Sequence, residues 1–185
     1  MAYRNGTYIA FHAGGTTDPT KSDIKYYNIL KGWAAHKHID FTFVNSHEKT
    51  ASVRDTSNFE TLLRSLRLRL NNSKQFLIFI TEITRLDTDC VPYEVRYAID
   101  TCELPIIAAY PGYDFIMGPR ELSALWPKTL KERIENGSAR VVHVPFLKAP
   151  ILDALSQFDV FNTEYPQDGY GYYSRQAYNQ WGIYP

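Results

Sequence analysis

The sequence predicts an α/β protein, a three-layer sandwich in which a five-stranded parallel sheet lies between two layers of helices. Three observations carry this reading. Apolar strand-like runs start near residues 7, 40, 75, 105 and 139. A helical pattern fills the gaps between them, as repeated β-α-β units require. Residues 75–80, Gln-Phe-Leu-Ile-Phe-Ile, are too uniformly apolar for a half-exposed strand and belong in the middle of a sheet covered on both faces.

Residues 7–11 form the first strand and end in a loop of small residues, 12–19. Ser22 stands where an N-cap is needed, and Tyr26, Ile29, Leu30 and Trp33 follow the helical i, i+3, i+4, i+7 template to about Ala35. Phe41 and Phe43 alternate with Thr42, the pattern of an edge strand with one wet side. Ser57 and Glu60 make a capping box ahead of a leucine stripe at Phe59, Leu62, Leu63, Leu66 and Leu70. Arg64, Arg67 and Arg69 lie off that stripe as a solvated face, and Glu60 reads as a surface partner of Arg64. After the apolar run, Val91, Val95, Ala98 and Cys102 recur at helical spacing before a strand at 105–110. Pro127 and Gly137 bracket a helix carrying Leu130 and Ile134. Residues 139–145 are the fifth strand, and Pro150, Ile151, Leu152, Leu155 and Phe158 mark the fifth helix. Apolar first, third and fourth strands against an alternating second give the flavodoxin-like order 2-1-3-4-5, with right-handed crossovers. Residues 1–160 thus read as one α/β domain, and 161–185 as an aromatic-rich C-terminal extension expected to pack on the domain or on a partner.

Charge and cysteine content restrict the function. Twenty basic and twenty acidic residues cancel, which leaves no footprint for nucleic acid or an anionic membrane. No apolar run approaches the length that crosses a bilayer, and the first residues lack an apolar signal core. Cys90 and Cys102 are too far apart along one helix to bridge, so a reducing, cytoplasmic setting is expected.

The chemistry-bearing residues fall along one rim. In a doubly wound sheet, ligands bind beyond the carboxyl ends of the strands where the order reverses, here between the first and third strands. That rim collects Phe11, His12, Asn45, Ser46, Thr81 and Glu94. Glu94 stands out among them. It lies three residues after Val91 and four before Ala98, at the margin of the buried stripe, with no Lys or Arg three or four residues away. A carboxylate beside apolar surface without a local cation calls for a functional reason or a distant partner. His12 at a strand end reads equally as a base, a ribose contact or a hydrogen-bonded rim residue. Gly14, Gly15, Thr16 and Thr17 form either a phosphate cradle or a plain turn. Asp87 and Asp89 precede a helix and read as caps before they read as cation ligands. His36 and His38 lack the neighbouring ligands a zinc site needs, so no metal is expected. There is no P-loop, no GxSxG, no HExxH and no paired CxxC. The absence of acidic residues directly after the first strand excludes a receiver domain.

The strand ending Ile9, Ala10, Phe11, His12, the passage from Leu70 through residues 76–81, and Val91, Pro92, Tyr93, Glu94 together resemble the TIR-like domains of bacterial antiphage systems. The subgroup they are most similar to is typified by the ThsB subunit of Thoeris defence. Asp168, Gly169, Tyr170 and Trp181 are similar to that subgroup's aromatic end. The resemblance implies a catalytic glutamate on the third helix, hence Glu94, although Cys90 stands where such enzymes commonly carry tryptophan. It implies cleavage of the nicotinamide–ribose bond of NAD, as substrate and not cofactor, to ADP-ribose or a cyclic or conjugated form that serves as a signal. Phe11 and Tyr93 are then expected to flank the ring, with His12, Asn45, Ser46 and Thr81 around the substrate. Two alternatives remain. One is a nucleoside deoxyribosyltransferase-like enzyme on a similar scaffold. The other is a non-enzymatic TIR-type module that signals by self-association into a homo-oligomer through its tyrosine-rich end.

Overall fold

The structure is a computed structural model, and it describes residues 4–12, 18, 20, 22–35, 42–44, 59–88, 90–165 and 167–184. Ser57, Gly14, Gly15, Thr16, Thr17, His36, His38, Asn45, Ser46 and Asp89 lie outside the described residues. In chain order the main elements are β1 (Gly6–Ala10), α1 (Ile24–Ala34), β2 (Thr42–Val44), α2 (Phe59–Asn71), β3 (Ser73–Phe79), α3 (Cys90–Asp100) and β4 (Ile106–Tyr110). There follow α4 (Lys128–Glu135), β5 (Val141–Pro145), α5 (Lys148–Gln157), β6 (Gly171–Tyr172) and α6 (Arg175–Gln180). A single 3-10 turn occurs at Thr84–Leu86 and a longer 3-10 helix at Pro119–Leu125. Every strand pair is parallel and the order is β2-β1-β3-β4-β5-β6, so the expected 2-1-3-4-5 sheet is present and gains a sixth strand at its far edge.

Alternation along the strands divides the interior into two layers. Tyr8, Ala10, Phe76, Ile78 and Ile106 join Leu66, Leu70, Val91 and Val95 on the α2–α3–α4 side. Ile9, Phe11, Leu77, Phe79 and Ile107 join Tyr27, Leu30, Ile151 and Leu155 on the α1–α5 side. No residue of β3 after Lys74 is more than 1% exposed, as a run with apolar side chains facing both ways demands. Two details differ from the helical templates. In α1 the buried residues are Tyr27 and Leu30, while Ile29 is 43% exposed, because the helix is turned to stack Tyr27 on Phe11. In α2, Glu60 pairs with Arg67 at 3.8 Å, one turn beyond Arg64, and both partners are solvated enough for the pair to contribute little.

The far edge of the sheet is fixed by a polar chain inside the core. Trp126 Nε1 donates to the Tyr110 hydroxyl at 2.7 Å, Tyr110 lies 2.7 Å from His143 Nδ1, and His143 Nε2 lies 2.9 Å from the Gly169 carbonyl. A carbonyl only accepts, so Nε2 carries the ring proton, Nδ1 accepts from Tyr110, and every polar atom of the chain is satisfied by a neutral imidazole. Burial pushes the His143 pKa down to about 4, against a smaller upward pull from the Gly169 carbonyl. Gly169 is needed for its size as well: a Cβ there would sit 2.7 Å from Ile134 Cγ2 and 3.0 Å from the Ile134 backbone. Gly169→Ala is therefore expected to lower stability by about 1–3 kcal/mol, read from denaturant unfolding, because backbone cannot yield as a side-chain tip can.

Candidate functional site

The helix that follows β3 places Glu94 inside the protein. Val91, Glu94, Val95 and Ala98 share the face of α3 that packs on the sheet, so the glutamate sits within the apolar stripe and not at its margin. It is 1% exposed. The expected place at the margin of the stripe is thus corrected: Glu94 lies among Val91, Val95 and Ala98 on the covered face of the helix. Its long-range partner is a tyrosine, not a cation. The Tyr8 hydroxyl donates to Glu94 Oε1 at 2.7 Å, and Tyr8 itself is fully buried and stacked on Phe76 at 5.4 Å. Glu94 Oε2 has no hydrogen-bond partner among the described residues.

The electrostatics follow from this placement. Burial drives the Glu94 carboxyl up to about 8. The Tyr8 hydrogen bond opposes the shift, the charge of Asp87 adds to it, and Arg69 opposes it weakly. Tyr8 is held well above its ordinary range by burial, then by the nearby Glu94 charge. One hydroxyl donor does not offset the loss of water around a carboxylate, so Glu94 is mostly protonated at neutral pH.

A second polar group lies at the carboxyl ends of β1 and β3. His12 Nδ1 is 2.6 Å from Asp87 Oδ2. The His12 carbonyl accepts from the Asp23 amide at 3.2 Å. The Asp23 carboxylate in turn accepts from Thr81 Oγ1 at 3.1 Å and from Thr84 Oγ1 at 2.9 Å. Burial raises the Asp23 pKa, and the two threonine hydroxyls and His12 restrain it. The loop after β1, the start of α1 and the loop after β3 are knitted together here, at the reversal of strand order where ligands enter such sheets.

The remaining candidates are scattered. Phe11 points to the opposite side of the sheet from Glu94, stacked on Tyr27 at 5.2 Å and tilted against Phe79, so it does not flank a group held by Glu94. Odd and even positions of β1 face opposite layers, which separates Phe11 from Tyr8. Tyr93 faces α2: its hydroxyl accepts from Arg67 Nε at 2.5 Å and its ring lies between the guanidinium groups of Arg67 and Arg96. Thr81 serves Asp23. Tyr8, Asp23 and the Asp87 side chain were not among the candidate site residues. Tyr8 gave no signal, since a tyrosine in an inner strand reads as core, and Asp87 has turned from the helix start it was expected to cap toward His12. Among the described residues no group of His, Cys, Asp and Glu is arranged to hold a metal, neither cysteine is in a disulfide, and no helix is long and apolar enough to cross a membrane.

The raised Glu94 pKa has a consequence for stability. The native state holds this proton more tightly than the unfolded chain, so the contribution is full below the ordinary value of 4.5 and is lost as pH rises through about 8. Glu94→Gln keeps the shape and cannot ionise. It is expected to match the parent near about pH 4 and to melt at least about 3 °C higher near about pH 9, measured by calorimetry.

The family model described as "Thoeris protein ThsB, TIR-like domain" matches residues 8–114. The match begins within β1 at Tyr8 and runs through the whole of β3, α3 and β4, and so includes both partners of the buried carboxyl–phenol pair. It spans more than half of the 185 residues, and the parallel sheet in the order 2-1-3-4-5 agrees with it. The chain belongs to the Thoeris ThsB TIR-like domain family.

Proposed function

We propose that this TIR-like protein acts in antiphage defence by cleaving the nicotinamide–ribose bond of NAD, with Glu94 as the group that meets the ribose. The observation that carries this reading is the buried carboxyl itself: one oxygen held by Tyr8, the other without a partner among the described residues, beside the point where strand order reverses. A half-satisfied buried carboxyl is costly to keep, and such groups concentrate at sites of chemistry.

The reaction suits one carboxylate. Nicotinamide leaves as a neutral ring from a cationic one, so no general acid is needed, and the barrier lies in the oxocarbenium-like ribose. A cationic nicotinamide riboside approaching Glu94 supplies the opposite charge that burial removed. It lowers the carboxyl pKa, and the proton departs as substrate binds. Glu94 is sealed in this structure, so the substrate reaches it only after the atoms covering it shift. That same seal favours a second reading, signalling by self-association without catalysis, under which Glu94→Gln leaves signalling intact.

Two measurements separate these readings. Glu94→Gln is expected to reduce nicotinamide release from NAD by about tenfold to a thousandfold, and unchanged release refutes the assignment. Because the carboxylate is the working form, kcat/KM is expected to rise with pH and to level off once the free-enzyme carboxyl has titrated, near about 8.

A further inference from the structure

We infer that His12 is the general base for the acceptor that captures the ribose, and that Asp87 is its positioning residue. The inference rests on the glycosidic-cleavage reading above and deepens it by assigning the second half of the reaction. Three features of the geometry support it.

The first is orientation. Asp87 Oδ2 lies 2.6 Å from Nδ1, and a carboxylate can only accept, so Nδ1 carries the proton of the neutral ring and Nε2 presents the lone pair. The second is the order of burial. The Asp87 side chain is 9% exposed and the His12 side chain 27%, so the carboxylate is set behind the ring and the ring faces outward. A plain rim ion pair has no need of that order; a base held in one tautomer by an inner carboxylate does. The third is location. His12 follows β1 by two residues, at the carboxyl end of the strand that carries Tyr8, and Asp87 is close enough to Glu94 for its charge to oppose ionisation there. The His12 main chain is fixed as well, through the Asp23 amide and the Thr81 and Thr84 hydroxyls behind it.

The step balances as follows. The bond from the ribose anomeric carbon to the nicotinamide nitrogen breaks, and its electron pair leaves with the ring. A lone pair of water, or of a hydroxyl-bearing acceptor, forms the new carbon–oxygen bond. The acceptor's proton passes to His12 Nε2, and the resulting imidazolium, held by Asp87, releases it to solvent.

A nucleophile that has no proton to lose has no use for this base, and that supplies the test. Wild type, His12→Gln, Asp87→Asn and Glu94→Gln are each incubated with NAD in water alone and with a substituted pyridine. The pyridine replaces nicotinamide through its ring nitrogen. His12→Gln is expected to lose about a hundredfold in hydrolysis while base exchange stays within about threefold of wild type. Asp87→Asn is expected to lose hydrolysis selectively as well, by a smaller factor, and Glu94→Gln to lose both. Retained exchange also shows that the variant is folded. Equal loss of both reactions in His12→Gln, or loss of neither, overturns the assignment of His12 while leaving Glu94 in place. Absence of both reactions in wild type overturns the glycosidic-cleavage reading, and this one with it.

Discussion

A carboxyl group shut away from water has to find its partners in the protein, and among the described residues Glu94 finds one donor for two oxygens. The constraint that organises the site is this single bond from the Tyr8 hydroxyl at 2.7 Å, made across two elements that only the completed sheet brings together. Tyr8 is in β1 and Glu94 in α3, and β3 lies between β1 and β4, so the pair depends on the reversal of strand order. Breaking a buried polar pair on one side leaves the other group's desolvation uncompensated, which gives these two residues a larger claim on stability than their number implies.

The two layers of the core divide the work. On the α2–α3–α4 side lie the carboxyl and its phenol, with Asp87 close enough to act on the carboxyl. The α1–α5 side is an aromatic pack in which Phe11, Phe79, Tyr26, Trp33 and Phe146 hold one another. Rigidity on that side keeps β1 from shifting along β3, and so keeps Tyr8 in register with Glu94. At the opposite edge the Trp126–Tyr110–His143–Gly169 chain ties the last strand to β5 without a charge. Two of the buried polar groups among the described residues thus differ in character: the Tyr110–His143 chain is fully satisfied and neutral, whereas Glu94 Oε2 has no hydrogen-bond partner there.

Much of the fold was legible because β3 and β4 carry apolar side chains on both faces and only a central parallel strand tolerates that. Glu94 was legible for the opposite reason, as a carboxylate without a helical cation beside it. Tyr8 was not, since a tyrosine in an inner strand reads as core until the residue 86 positions away is seen to meet its hydroxyl. The separation of Phe11 from Glu94 was present in the alternation of β1, and proximity in sequence to the rim hid it. Asp87 looked like a helix cap because capping is local, and its actual partner is 75 residues distant. The two-residue β6 is shorter than any periodicity can register, and Ile29 matched a helical template that the stacking of Tyr27 on Phe11 overrode.

The physical state of Glu94 decides between a poised carboxyl and an ordinary surface acid, and it can be observed without substrate. The direct measurement is a pH titration of the Glu94 side-chain carboxyl carbon by NMR, in the parent protein and in Tyr8→Phe. The account predicts a midpoint of about 8 in the parent and a higher one when the hydroxyl is removed. A midpoint in the ordinary carboxyl range of about 4–5, unmoved by Tyr8→Phe, would contradict it.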